Sequence, residues 1–260
     1  MSRSFDISKN YYSYINKKTT PLVFIHGVGL DHTMWKPQIS YFKKFSIIVY
    51  DILGHGKTSM DIDKLSLNDF SQQLFEILNN LKLKKINLIG FSLGSLIALD
   101  FASKYEDKLN KLILIGTTYK RSSEETEKVV DRLNQAKLNK PLSKQALKRW
   151  FSDKFLEKNP GIYKKFIKIL SKDNLNHKNF IKAYDLFANY QDNVSAINKI
   201  STDTLLMTGS EDSGSTPEMS KNLSNDLQNS SFVEIKGGKH LCSIEYSEDV
   251  NMNIEKFINK

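Results

Sequence analysis

Apolar residues along this chain come in short runs, separated by longer stretches in which they recur every three or four positions. The runs at Leu22–His26, Ser46–Asp51, Ile86–Phe91, Lys111–Gly116, Thr204–Gly209 and Phe232–Lys236 are brief, rich in β-branched residues and bounded by glycine or polar residues, which predicts strands. Most are apolar at successive positions (LVFIH, IIVYD, INLIGF, LILIG), as expected of parallel strands covered by helices on both faces. Tyr11–Ile15 is a candidate antiparallel edge strand. The intervening periodic stretches predict amphipathic helices over Leu67–Leu81, Leu93–Tyr105, Pro217–Leu227 and Asp249–Ile258.

The alternation stops after Gly116. From about Tyr119 to Ile200 the periodicity is helical throughout, with helices predicted over Arg121–Leu138, Lys144–Leu156, Pro160–Leu170 and Lys178–Tyr190, punctuated by Pro141 and Pro160. Strand–helix alternation resumes at Thr204. A helical block is thus inserted into an α/β sheet, and 260 residues suit one domain carrying such an insertion.

The chemistry centres on Gly90-Phe91-Ser92-Leu93-Gly94, between a predicted buried strand and a predicted helix. A G-x-S-x-G in that setting predicts a sharp turn that lifts the Ser92 hydroxyl above the end of the sheet, at the positive end of a helix dipole. A serine hydroxyl needs a base to take its proton. His240, in Gly237-Gly238-Lys239-His240, follows the last predicted strand and so stands at the same sheet edge. The base needs an orienting carboxylate. Asp212 follows the strand Thr204–Gly209 and is preferred to its neighbour Glu211, while Asp203 lies at the strand's opposite end. The order Ser, Asp, His is that of α/β-hydrolases. An oxyanion needs two N–H donors, for which the Leu93 amide and the Val28 amide, in the loop His26-Gly27-Val28-Gly29, are the candidates. His26 reads as a structural brace of that loop. Asp51 and His55, in the glycine-containing loop DILGHGKTS, read as structural, since that loop lacks the spacing of a phosphate-binding motif. The histidines are isolated, so no metal site is expected.

Composition narrows the picture. The net charge is +9, but only Arg3, Arg121, Arg132 and Arg149 among the 38 basic residues are arginine, and the lysines are scattered. Nucleic-acid readers favour arginine, so no nucleic-acid partner is expected. No apolar run reaches the length of a membrane span and the N-terminus has no apolar leader, so a cytoplasmic protein is expected. The lone Cys242 allows no intrachain disulfide and reads as a small apolar filler.

Five stretches, HGVGLDHTMW at 26–35, YDILGHGKTS at 50–59, GFSLGS at 90–95, TGSEDSGSTPEM at 208–219 and GGKH at 237–240, fall in an order and spacing that resembles the α/β-hydrolase superfamily over nearly the whole chain. Within it, GSEDSGSTPEM and the Arg149-Trp150-Phe151 triplet resemble the esterase and lactonase branch that includes 3-oxoadipate enol-lactonases. The resemblance implies a mostly parallel eight-stranded sheet with helices on both faces, a core of residues 1–118 and 201–260, and a helical lid of residues 119–200. It also implies Ser92, Asp212 and His240 as triad, Val28 and Leu93 as oxyanion donors, no cofactor, and a small ester or lactone as substrate. Phe91, Trp150 and Leu241 are candidate pocket residues, with helix packing the competing role for Trp150. Arg149 hints at an anionic substrate. Epoxide hydrolases and haloalkane dehalogenases of this fold place Asp where this chain has Ser92, which disfavours those chemistries. Carbon–carbon bond hydrolysis of ring-cleavage products, a slowly turning-over ligand sensor and acyl transfer to another acceptor stay open.

Overall fold

The computed structural model describes residues 2–6, 8–138, 143–171 and 177–260, with the side chains of residues 2, 3 and 143 left aside; Pro141 lies outside the described residues. Eight strands form one sheet: β1 (Ser2–Phe5), β2 (Tyr11–Ile15), β3 (Leu22–Ile25), β4 (Ile47–Tyr50), β5 (Ile86–Phe91), β6 (Leu109–Ile115), β7 (Thr204–Gly209) and β8 (Ser230–Ile235), in the order β1-β2-β4-β3-β5-β6-β7-β8. β2 runs antiparallel to β1 and β4, and all other pairs are parallel.

The doubly apolar strands make two cores, because successive side chains leave opposite faces of a strand. Val23, Ile25, Ile48, Tyr50, Leu88, Leu112, Leu114 and Leu206 enter one buried cluster. Their alternates Leu22, Phe24, Ile47, Val49, Ile89, Phe91, Ile113, Ile115, Leu205 and Met207 enter the other. The helix Leu67–Asn80 buries Phe70, Leu74, Ile77 and Leu78 on one face and starts at a capping box between Ser66 and Asp69. The helix Leu93–Tyr105 is buried nearly all round for its first two turns, which holds the start of that helix rigidly above the sheet.

Some elements escaped the periodicity. β1 carries almost no apolar signal and exists because it pairs with β2 across a turn in which Lys9 donates to the Asp6 carbonyl (3.0 Å) and the Asp6 carboxylate takes the Asn10 amide N–H (2.8 Å). The helices Lys36–Tyr41 and Cys242–Glu245 are too short to show a period. The helix expected over Lys144–Leu156 is two, Ser143–Trp150 and Asp153–Lys158. Ser152 divides them: its hydroxyl accepts the Phe155 N–H (3.2 Å) to cap the second, while its own N–H donates to Glu245 (3.0 Å). The remaining inserted helices are Ser123–Lys137, Pro160–Ile169, His177–Ala188 and the short Val194–Ile197.

Candidate active site

The turn from β5 into the helix Leu93–Tyr105 holds Ser92 at φ 53° and ψ −119°, a backbone conformation unusual for a residue with a side chain. The glycines on either side are required by space. A Cβ on Gly90 would lie 2.2 Å from the Gly94 carbonyl oxygen, and one on Gly94 would lie 2.4 Å from the Ile25 carbonyl oxygen at the end of β3. Close packing of the helix start on two strands therefore sets the G-x-S-x-G spacing. Because the first residues of a helix have no intrahelical acceptor, the Leu93 N–H is left pointing out beside Ser92.

β3 ends in a turn in which the Leu30 N–H donates to the Gly27 carbonyl (3.2 Å) and Gly29 takes φ +73°. A left-handed third residue makes this a type II turn, with Val28 at its second position. A Cβ on Gly27 would meet Ser92 Cβ at 3.2 Å, so the loop lies directly against the nucleophile candidate, and Val28 lines the same pocket as Ser92. Among the described residues, no acceptor takes the Val28 N–H.

Asp212 and His240 meet across the ends of β7 and β8. Asp212 is buried; one carboxylate oxygen accepts the Gly214 and Ser215 N–H groups (2.9 and 3.0 Å), and the other lies 2.6 Å from His240 Nδ1. A carboxylate at Nδ1 places the proton there and leaves the Nε2 lone pair as the base. Glu211 is exposed, and Asp203 pairs with Lys111 at the far end of the sheet (2.6 Å). Gly116 (φ +57°) lies against the imidazole, its Cβ position 3.4 Å from the ring, and the Phe91 ring packs against the imidazole at 4.8 Å. No hydrogen bond joins the Ser92 hydroxyl to His240 among the described contacts, although both line one pocket with Asp212.

That pocket is roofed by the inserted helices. Val129 and Arg132 come from Ser123–Lys137, Ala146, Arg149 and Trp150 from Ser143–Trp150, and Phe180, Tyr184 and Phe187 from His177–Ala188. Trp150 lines the pocket and packs edge-on against Phe166 at 6.2 Å. Phe91 also lines the pocket. Leu241 does not. It is fully buried in the core, and its N–H donates to the Trp150 carbonyl (3.0 Å), tying the His240 loop to the inserted helix. A residue beside the base in sequence points away from it because the chain turns into a short helix at Cys242. Arg132 and Tyr184 were absent from the sequence-based candidates, since helical periodicity does not tell which partner a half-polar face meets.

The histidines and acid of the neighbouring loops hold the backbone. His26 is buried; its Nδ1 lies 2.8 Å from the Gly27 carbonyl and its Nε2 accepts the Ile52 N–H (3.1 Å), so one ring braces two loops. Asp51 accepts from the His32 N–H, His32 Nδ1 and the Lys57 N–H (2.8, 2.7 and 2.9 Å). Gly56 lies so close that a Cβ there would be 2.3 Å from that carboxylate. Burial pushes the imidazole of His26 below its ordinary value, and that of His55 down to about 4. Cys242 is fully buried, which with the nearby Asp212 pushes its thiol up to about 12, in keeping with a filler role. Among the described residues, no group of three or more His, Cys, Asp or Glu could hold a metal ion, and no helix is long and apolar enough to cross a membrane.

Comparison with known proteins places the fold. The chain is 29% identical over 265 residues to an (E)-2-((N-methylformamido)methylene)succinate hydrolase of Acinetobacter baylyi, covering 99% of this chain and 98% of the relative. It is 23% identical over 256 residues to 3-oxoadipate enol-lactonase 2 of the same organism, covering 98% and 94%. Among solved structures, an enol-lactonase of Burkholderia xenovorans superposes with a TM-score of 0.85 at 21% identity, covering 96% of this chain and 97% of that one. A thermophilic esterase of Thermogutta terrifontis, with malate bound, does so with 0.85 at 24%, covering 100% and 98%. Residues 20–245 match the family model of the alpha/beta hydrolase fold, and the chain belongs to that family.

Proposed function

We propose that this protein is a serine hydrolase that cleaves a small carboxylic ester or lactone through Ser92, His240 and Asp212. The observation that carries this reading is the buried Asp212 carboxylate on His240 Nδ1, in the same pocket as a serine on a strained strand-to-helix turn. His240 Nε2 takes the Ser92 proton as Oγ attacks the carbonyl carbon. The oxyanion is held by the Leu93 and Val28 N–H groups, and the alcohol leaves with the proton from His240. Water, deprotonated by the same nitrogen, then adds to the acyl-enzyme; the carboxylate product leaves and the Ser92 hydroxyl is restored. Asp212 keeps the Nδ1 proton in place and balances the imidazolium charge. The inserted helices of residues 119–200 act as the lid that shapes the substrate cavity.

The relative named for a nitrogen-bearing succinate derivative favours a second reading, in which the same residues hydrolyse a linkage other than an ester. Turnover of p-nitrophenyl acetate tests the serine mechanism. Ser92→Ala is expected to lose it by about 10⁶-fold, the order seen on removing a triad nucleophile, with an unchanged melting curve. Near-normal activity of that variant would overturn the reading.

A further inference from the structure

The inserted helices do not share one core. Val129 and Leu133 of Ser123–Lys137 and Ala183 and Phe187 of His177–Ala188 enter the buried cluster on one face of the sheet. Ala146, Leu147 and Trp150 of Ser143–Trp150 enter the cluster on the other face, together with Leu241, Cys242 and Ile244. The helix Ser143–Trp150 thus belongs to the same packed body as the chain that follows His240. Hydrogen bonds reinforce this. The last carbonyls of a helix have no intrahelical partner. Here the Lys148 carbonyl takes Lys239 Nζ and the Trp150 carbonyl takes the Leu241 N–H, both at 3.0 Å. Lys239 and Leu241 are the two sequence neighbours of His240.

The next inserted helix, Asp153–Lys158, is started from the same loop. Ser152 caps it. A self-contained start would carry Glu or Gln three residues after the cap, to take the cap residue's own N–H. Phe155 stands at that position and has no acceptor to offer. Glu245, the last residue of the short helix Cys242–Glu245, supplies the carboxylate from outside: one oxygen takes the Ser152 N–H (3.0 Å) and the other the Ser152 hydroxyl proton (2.5 Å). Both atoms of the cap therefore depend on the core. Glu245 is itself held, since its N–H donates to the Leu241 carbonyl (3.1 Å) and the Ser243 carbonyl accepts from Gln38 (2.7 Å).

We infer that Glu245 is a positioning residue for His240: by closing the junction of two inserted helices onto the histidine's own loop, it fixes the imidazole relative to the pocket wall that carries Trp150. The inference rests on the serine-hydrolase reading for what His240 does, but not for where Glu245 holds it. Asp212 fixes the imidazole from the side of β7 and β8 through Nδ1. That single bond leaves the ring free to pivot about its end, and a shift of the loop would carry Nε2 away from Ser92. The ties at Lys148, Trp150 and Ser152 oppose that shift from the side of the inserted helices. Without the Glu245 carboxylate the Ser152 N–H and hydroxyl lose their acceptor, the junction loosens, and the Leu241 bond beside His240 loosens with it.

The test compares Glu245→Ala with Glu245→Gln, each assayed well below its melting point on p-nitrophenyl acetate. Both remove the charge, but glutamine keeps an acceptor for the Ser152 N–H and an amide group for its hydroxyl. Glu245→Ala should lower kcat about ten- to a hundredfold, the cost of a displacement of about 1 Å at a reacting centre, with KM little changed, and Glu245→Gln should restore most of the loss. Amide hydrogen exchange at Leu241 and Ser152 should quicken in Glu245→Ala. The low-field proton resonance of His240 Nδ1–H, identified by its loss in His240→Gln, should broaden there and persist in Glu245→Gln. A lower melting point in Glu245→Ala with wild-type kcat and an unchanged resonance would mean a purely structural role and overturn the inference. Equal losses in the two variants would trace the effect to charge and overturn it too. If Glu245→Ala does not fold, Ser152→Ala and Lys239→Met, which each remove one tie, should lower kcat by smaller factors, and wild-type kcat in both would overturn it. If the wild type hydrolyses no ester, the serine-hydrolase reading fails alone, and the exchange rates and the His240 resonance still decide the role of Glu245.

Discussion

Gly94→Ala should separate the two demands placed on the helix that begins beside Ser92. In an unobstructed helix the change is favourable by about 1 kcal/mol. Here the new methyl would lie 2.4 Å from the Ile25 carbonyl oxygen, 1.0 Å inside the 3.4 Å at which ordinary contact begins, and 2.7 Å from the His26 carbonyl oxygen. Both obstacles are backbone at the end of a central strand and cannot swing aside. The helix start must retreat by about as much, and such overpacking costs roughly 1–3 kcal/mol. After the helical gain is subtracted, the net loss is up to about 2 kcal/mol, or a melting point lower by up to roughly 8 °C for a chain of this size. The retreat also widens the gap between the Leu93 amide and the loop that bears Val28, and a displacement of about 1 Å at a reacting centre costs about 10²-fold in rate. Gly161→Ala is the internal control: nothing lies within 4 Å of its Cβ position, in the first turn of Pro160–Ile169, so stability should hold or rise. Thermal unfolding and p-nitrophenyl acetate hydrolysis of both variants decide the matter. Wild-type stability and activity in Gly94→Ala, or equal damage from both substitutions, would refute the steric account.

In Asp212→Asn, keeping the remaining oxygen on the Gly214 and Ser215 N–H groups turns the new NH₂ toward His240 Nδ1, which forces the proton to Nε2 and removes the base. Activity should fall by about 10⁴-fold while Glu211→Gln, on an exposed side chain, leaves it near wild type, and kinetics on the pair would show an inverted pattern if Glu211 were the orienting acid. The buried His55, with its imidazole pushed from 6.5 down to about 4, stays neutral in the fold at pH values where the unfolded chain takes up a proton. Its contribution is fully present above pH 6.5 and is lost as the pH falls toward 4, by up to about 1.4 kcal/mol per pH unit. Melting temperatures between pH 7 and 4.5 should therefore fall, and fall less steeply in His55→Gln; an equal slope in the variant would count against that histidine.

The architecture was legible where one local pattern had one physical solution. The short apolar runs, most of them apolar on both faces, required a sheet covered on both sides, and all six were strands, shifted by at most two residues at an end. Ser92 was legible because a small-residue turn between a buried strand and a helix constrains its own backbone, and Asp212 and His240 because each follows a strand that ends at the same sheet edge. β1 was not, because its order comes from pairing with β2 rather than from its own residues. Leu241 was misplaced for a related reason: adjacency to His240 in sequence says nothing of direction once the chain turns into the helix at Cys242.

By itself the sequence determined which residues could carry the chemistry and on which elements they sit, since strand period, turn glycines and helix starts are properties of a few neighbouring residues. Only the tertiary structure decided what those elements enclose. The roof of the pocket joins helices whose pocket residues run from Val129 to Phe187, and the pairing of Arg132 with Arg149 in it depends on how the inserted helices cross. Helical periodicity reports that a face is half apolar, and leaves to packing what that face will meet.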